Sequence, residues 1–148
     1  MIHDLRGAGS QTRSADVLVI GAGTVGLIIA AELAERGQRV VCLESGGEEQ
    51  AEEIHPLNAV EQVGTEYAGA EHGRFRCLGG SSTRWGGALI PFQNADLVNG
   101  GWPITWADLE PWLPRVESLF DLPAGSYDDP SILAQSGHLA RLAKWPAF

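Results

Sequence analysis

Residues 16–47 read DVLVIGAGTVGLIIAAELAERGQRVVCLESGG. Val17 to Ile20 form a continuous apolar, β-branched run, the composition of a parallel strand buried on both faces. Gly21, Gly23 and Gly26 follow at once. From Thr24 to Arg36, apolar Val25, Ile28, Ile29 and Leu33 recur at helical spacing, with Glu32, Glu35 and Arg36 between and after them. Gly37 is a helix stop. Val40 to Leu43 repeats the buried-strand pattern and ends on Glu44. The order is strand, glycine turn, helix, strand, acid.

Each residue type has a physical task in that order. Gly21 permits the tight turn, Gly23 lets backbone approach a pyrophosphate, and Gly26 lets helix and strand pack closely. The helix N-terminus presents free N–H groups and the positive end of its dipole to phosphate. Glu44 can accept hydrogen bonds from ribose hydroxyls, which favours FAD or NAD over a 2′-phosphorylated dinucleotide. These residues alone leave FAD and NAD both open.

The chain of 148 residues is long enough for one domain with a core. Its net charge of −9 and pI near 4.8 argue against nucleic acid as a partner. No apolar run is long enough to span a bilayer. The first fifteen residues lack the apolar centre of a signal peptide and read as a flexible lead-in, so a cytoplasmic location is expected. Cys42, inside a strand, reads as a small apolar residue; Cys77 precedes a glycine-rich loop. A bridge between them stays open, although nothing in the sequence demands one. His3, His55, His72 and His138 have no metal-ligand spacing, so no metal is expected and each reads as a surface residue.

Residues 48–73 are rich in Glu, Gln, Ala and Gly and read as a surface excursion, with a short helical turn over Gln50 to Ile54 ahead of Pro56. Next comes RFRCLGGSSTRWGGALIPF, residues 74–92. Gly79-Gly80 and Gly86-Gly87 flank Ser81, Ser82, Thr83, Arg84 and Trp85. Glycine pairs admit close approach of a flat or charged ligand, hydroxyls supply donors and caps, and Arg74, Arg76 and Arg84 concentrate positive charge. A phosphate-bearing aromatic cofactor suits this mixture; so does a Gly/Ser loop with a packing tryptophan. In WPITWADLEPWLPRVESLF, residues 102–120, Thr105 and Asp108 form an approximate capping box. Pro111 and Pro114 are tolerable if the main helix starts near Glu110. The tryptophans read as packing residues before a sugar-stacking surface. Ser131 to Trp145 reads as a last weak helix interrupted by Gly137.

Taken together, the glycine turn with its acid, the excursion, Arg76-x-LGGSS-x-x-W-GG and then WPIT-x-x-DLEPW resemble the N-terminal part of the glucose–methanol–choline (GMC) flavoprotein oxidoreductases. The likeness is closest to the W-G-G branch related to bacterial sugar dehydrogenases and pyranose oxidases, and it covers roughly Asp16 to Tyr127. It implies an α/β fold: the N-terminal part of a Rossmann-like FAD-binding domain over 16–148, with an incomplete sheet. It also implies FAD. Gly21, Gly23, Thr24, Val25 and Gly26 would face the pyrophosphate. Glu44, with Ser45 beside it, would bind the adenosine ribose. Arg76, Gly79, Gly80, Ser81, Thr83, Trp85 and Gly86 would line the diphosphate and isoalloxazine end. Some relatives tether the flavin through a histidine in the segment that here reads Ser-Thr-Arg-Trp; Arg84 implies a non-covalent FAD. The asparagine more typical of the second motif is absent.

The resemblance places the catalytic histidine pair, the substrate domain and the remaining strands in a much longer chain, so no catalytic residue is assigned. The 148 residues are expected to be an N-terminal fragment of an oxidoreductase acting on CH–OH groups of an alcohol or sugar. A missing C-terminal part or a partner chain would complete it, and alone it would hold FAD weakly or not at all and not turn over. The alternative is a non-catalytic nucleotide-binding remnant, or a small subunit completed by another chain. An NAD-binding dehydrogenase domain is a third reading, disfavoured by LGGSS-x-x-W-GG, which a simple NAD domain does not need.

Overall fold

The computed structural model describes residues 1–53, 55–129, 131 and 140–146. The chain divides into two compact units, residues 1–85 and residues 86–148.

The first unit is built on a βαβ element. Strand β1 (Val17–Ile20) pairs in parallel with β2 (Val40–Leu43), with Val17 opposite Val40 and Ile20 opposite Leu43. Helix α1 (Thr24–Glu35) connects them and packs on both. It ends as the sequence predicts. Gly37 takes a left-handed φ of 82°, its N–H bonds Ala34 O at 2.9 Å, and Gln38 N–H reaches back to Leu33 O at 3.1 Å. That is the Schellman closure of a helix C-terminus.

Burial on both strand faces is not what the structure shows. Successive side chains of a strand alternate between faces. The α1 side is covered, but Leu18 is 55% and Ile20 82% exposed, and Leu43, opposite Ile20, is exposed too. A two-stranded sheet with a helix on one face has nothing, among the described residues, to lay over the other. The apolar composition records what the strands need; burial of each such side chain contributes roughly 1.5–3 kcal/mol only when a second layer is present. The sheet is therefore partial, as expected.

After β2 the chain makes a 3-10 turn at Pro56–Asn58 and a one-turn helix α2 (Gly69–His72). The helical turn expected at Gln50 to Ile54 does not form over 50–53, and Ile54 lies outside the described residues. Proline instead starts the turn at 56, where its fixed φ suits a first helical position. A second 3-10 turn, Gly80–Arg84, closes the unit, and Arg84 lies 5.5 Å over the Phe75 ring.

The second unit holds α3 (Asn94–Asn99), α4 (Trp106–Leu109), a 3-10 turn (Glu110–Trp112), α5 (Leu113–Leu119) and the two-residue strands β3 (Asp128–Asp129) and β4 (Ala140–Arg141), paired antiparallel. The Thr105–Asp108 box is present: Asp108 Oδ2 accepts from Thr105 N and Oγ1, each at 2.8 Å. Pro111 and Pro114 sit in the opening turns of the 3-10 segment and of α5, where no intrahelical N–H bond is lost. α3 escaped the sequence reading; Asp96 Oδ2 accepts from Gln93 N at 2.7 Å at its start. Its Leu97 is the most deeply buried of the described side chains of this unit, and Phe92 packs on Trp102 with ring centroids 6.2 Å apart.

Lys144 is only 6% exposed. Its Nζ donates to Glu117 Oε1 at 2.7 Å and Gly125 O at 2.8 Å and lies 4.0 Å from the Tyr127 ring centroid. Its backbone exchanges both hydrogen bonds with Leu89. Of the helix expected over Ser131 to Trp145, residues 132–139 lie outside the described set, and Ala140–Arg141 is strand. No described helix is long and apolar enough to cross a membrane. Both cysteines are free thiols, Cys77 fully buried and Cys42 partly so.

Candidate functional site: a glycine-lined cleft in the first unit

The turn between β1 and α1 uses its glycines in different ways. Gly21 holds a φ of 96°, a region closed to most side chains, while its N–H bonds Leu43 O at 2.7 Å. Gly26 lies under the turn. A Cβ there would overlap the Gly21 carbonyl oxygen and stand 3.4 Å from Val19 Cγ1, so helix and strand meet only because the side chain is absent. Gly23 is the N-cap of α1, and a Cβ on it would meet no protein atom within 4 Å. The space is there and faces the first-turn N–H groups of a twelve-residue helix.

The second glycine stretch runs directly along the first. Gly79 N–H bonds Ala22 O at 2.8 Å and Leu78 N–H bonds Gly47 O at 2.9 Å; Gly23 bridges Gly79, and Gly47 bridges Cys77, both in parallel sense. A Cβ on Gly80 would stand 3.2 Å from Gly23 Cα, and one on Gly46 would overlap the Arg76 carbonyl. Backbone is packed on backbone, which the glycines at 46 and 80 make possible. The result is a cleft of about 440 Å³ with Ile20, Gly21 and Gly23 to Gly26 on one side and Gly79, Ser81 and Ser82 on the other.

At the end of β2, Glu44 is bound into the same assembly. Its Oε2 accepts from Ala22 N at 2.8 Å, and its Oε1 accepts from Gly46 N and from Ser45 Oγ, each at 3.0 Å. Burial alone would push the Glu44 carboxyl up. The donated hydrogen bonds together outweigh it and bring the group below the ordinary glutamate value, so it is anionic at neutral pH. The same burial, with the Glu44 charge nearby, pushes the Cys42 thiol up.

Arg76 stands at this acid corner. Its guanidinium donates to Ser45 Oγ at 2.9 Å, Asn58 Oδ1 at 2.7 Å and Leu57 O at 3.1 Å.

Of the residues expected from the sequence, Gly21, Gly23, Thr24, Val25, Gly26, Gly79 and Ser81 line one cleft, with Gly80 packed against Gly23. Glu44, Ser45 and Arg76 form the polar corner beside it, which puts Arg76 next to the residues assigned to the ribose. Thr83 turns its hydroxyl to Gly80 O at 2.9 Å, and Trp85 is about half exposed at the end of the first unit. Gly86 begins the second unit.

Two contributors lie outside the cofactor-binding residues that the resemblance implies. Ser82, next to the expected Ser81, lines the cleft and donates to Gly79 O at 2.6 Å. Asn58 is buried at 3% exposure and ties residues 57–76 together, although it falls in the stretch expected to be a surface excursion. His55 and His72 line a smaller hollow of about 110 Å³ beside Asn58, apart from the glycine cleft. Among the described residues no group of three or more His, Cys, Asp or Glu is placed to hold a metal.

The arrangement suits a dinucleotide: open backbone N–H groups for the pyrophosphate and an anionic carboxylate one loop away for ribose hydroxyls. Residues 14–59 match the family model described as an FAD binding domain, a different family from GMC. That match spans β1, α1, β2, Glu44 and Asn58 and stops before the second glycine stretch. No curated protein and no solved structure matches the chain. The first unit thus contains an FAD-binding segment, FAD is its cofactor, and its functional class is that of the flavin-dependent oxidoreductases.

Proposed function

We propose that this chain is the FAD-binding portion of a GMC-type oxidoreductase that acts on CH–OH groups of an alcohol or sugar. The observation that carries the proposal is the pairing of Cys77 to Gly80 with Ala22, Gly23 and Gly47. The region matching a general FAD binding domain supplies the first glycine turn and the acid, features many flavoproteins share. The second motif lies outside it, and its backbone lies on the first in one cleft. A cofactor longer than a mononucleotide can follow that double glycine track.

In this reading Gly21, Gly23 and the first turn of α1 receive the pyrophosphate, Glu44 and Ser45 the adenosine ribose, and Gly79, Ser81 and Ser82 the flavin-side phosphate and ring. Bound FAD supplies a two-electron acceptor for the hydride of the substrate. Arg84, packed over Phe75, stands where a tethering histidine stands in some relatives, which supports a non-covalent cofactor. The exposed Leu18, Ile20 and Leu43 support completion of residues 16–148 by further protein, from the same chain or another. The same open face fits the second reading, a small subunit completed by a partner.

Titration of the purified chain with FAD, followed by flavin fluorescence, tests the cofactor claim. Weak saturable binding is expected, with a dissociation constant on the order of 10–100 µM, about −6 kcal/mol. Linear, unsaturable fluorescence up to millimolar protein overturns it. Reduction of that flavin by an alcohol or sugar with the chain alone would overturn the claim that completion is needed.

A further inference from the structure

A buried asparagine outside both glycine motifs holds the arginine of the second motif against the acid of the first. Asn58 Nδ2 donates to Arg74 O at 2.6 Å and Glu71 O at 3.2 Å, so the side-chain amide cannot turn without losing both. Its Oδ1 then points at Arg76 Nε, 2.7 Å away. Leu57 O takes a second guanidinium N–H, and the remaining edge reaches Ser45 Oγ at 2.9 Å. Ser45 donates its own proton to Glu44 Oε1 at 3.0 Å. A hydroxyl has one proton to give and lone pairs to receive with. Arg76, a donor only, therefore forces Ser45 to aim its proton at Glu44.

The consequence is at Glu44. Gly46 N and Ser45 Oγ both bond Oε1, Ala22 N bonds Oε2, and the Ser45 backbone N–H is a further donor to the carboxylate. An ionised carboxylate offers about four acceptor sites. Oε2, held by Ala22 N, lies next to the glycine turn.

We propose that Asn58 and Arg76 are positioning residues for the adenosine ribose: Asn58 fixes the Arg76 guanidinium, which through Ser45 orients the Glu44 carboxylate to accept the ribose hydroxyls. This inference rests on the FAD reading of the cleft and adds to it a relay, Asn58–Arg76–Ser45–Glu44, whose first member touches no cofactor.

The test compares ADP with 2′,3′-dideoxy-ADP, measured by NMR or calorimetric titration of the full chain. The native chain should prefer ADP about tenfold, the worth of a hydrogen bond to a charged group. Arg76→Met should bring that preference to about one while leaving dideoxy-ADP affinity within about threefold; Ser45→Ala, at a residue beside the ribose itself, should lose the preference as well. A purely structural role would weaken both ligands together and keep the ratio. Arg76→Lys, which can reach Ser45 but cannot hold Asn58 and Leu57 at once, should restore the preference in part. Asn58→Ala should behave as Arg76→Met if it folds; if it does not, Arg76→Met and Arg76→Lys still decide. A native chain that binds neither ADP nor FAD overturns the reading of the cleft and the relay with it. A native chain that prefers ADP, with the preference intact in Arg76→Met, overturns the relay alone.

Discussion

Replacing Gly26 by alanine sets two effects of known size against each other. Gly26 lies inside α1, at a helical φ, where alanine is favoured by about 0.8–1 kcal/mol. Against this, the new Cβ would overlap Gly21 O and stand 3.1 Å from Gly21 C and 3.4 Å from Val19 Cγ1. A backbone carbonyl cannot rotate aside as a side chain can, and Gly21 is pinned by its N–H bond to Leu43 O. The turn must shift by about 1 Å, an overpacking cost of roughly 1–3 kcal/mol. The net expectation is a loss of about 1 kcal/mol in urea unfolding. FAD affinity should fall by tenfold or more, because the shifted loop carries the N–H groups that meet the pyrophosphate. Gly23→Ala is the control. Its Cβ meets nothing in the protein, so stability should stay within about 0.5 kcal/mol while FAD binding falls as far. A Gly26→Ala chain that is about 1 kcal/mol more stable and binds FAD normally would refute the close-packing argument. A Gly23→Ala chain that binds FAD normally would refute the placement of the phosphates.

Other outcomes follow from single groups. Glu44 is held below its ordinary value of 4.5, so its contribution is present above about pH 4.5 and is lost as pH falls through the folded-state value. FAD affinity should be flat from neutral pH to about pH 5 and drop below 4.5, and Glu44→Gln should remove that drop from an affinity–pH profile. Lys144→Met strips Glu117 and Gly125 O of a buried donor and should cost about 2 kcal/mol in urea unfolding of the second unit. Tyr127, pushed up to about 12 by burial and then by Glu117, should titrate closer to 10 in Glu117→Gln, read by absorbance at alkaline pH. Thr105→Ala should cost about 1 kcal/mol by removing the α4 cap.

The βαβ element was fully legible because each of its signals is local. β1 and β2 occupy Val17–Ile20 and Val40–Leu43, and α1 runs from Thr24 to Glu35 between its glycine turn and Gly37. The Thr105–Asp108 cap was legible for the same reason. What the sequence did not carry was contact between distant segments. Nothing near residue 79 announces that its N–H bonds Ala22 O, or that Gly46 is needed for the passage of Arg76. The exposed face of β1 is the converse case: apolar composition states a requirement, and whether it is met depends on a layer elsewhere. Asn58 and Lys144 escaped because polar residues read as surface or turn; only their partners, sixteen and twenty-seven residues away in Arg74 and Glu117, make burial tolerable.

The central claim is that the paired glycine stretches bind FAD. It is tested most directly by competitive titration of the intact chain with FAD and NAD under identical conditions, with ADP as displacer. Saturable FAD binding, displaced by ADP and at least tenfold tighter than NAD, is the predicted result, since only the second stretch distinguishes the two. NAD binding as tight as FAD, or FAD binding that ADP does not displace, would contradict it.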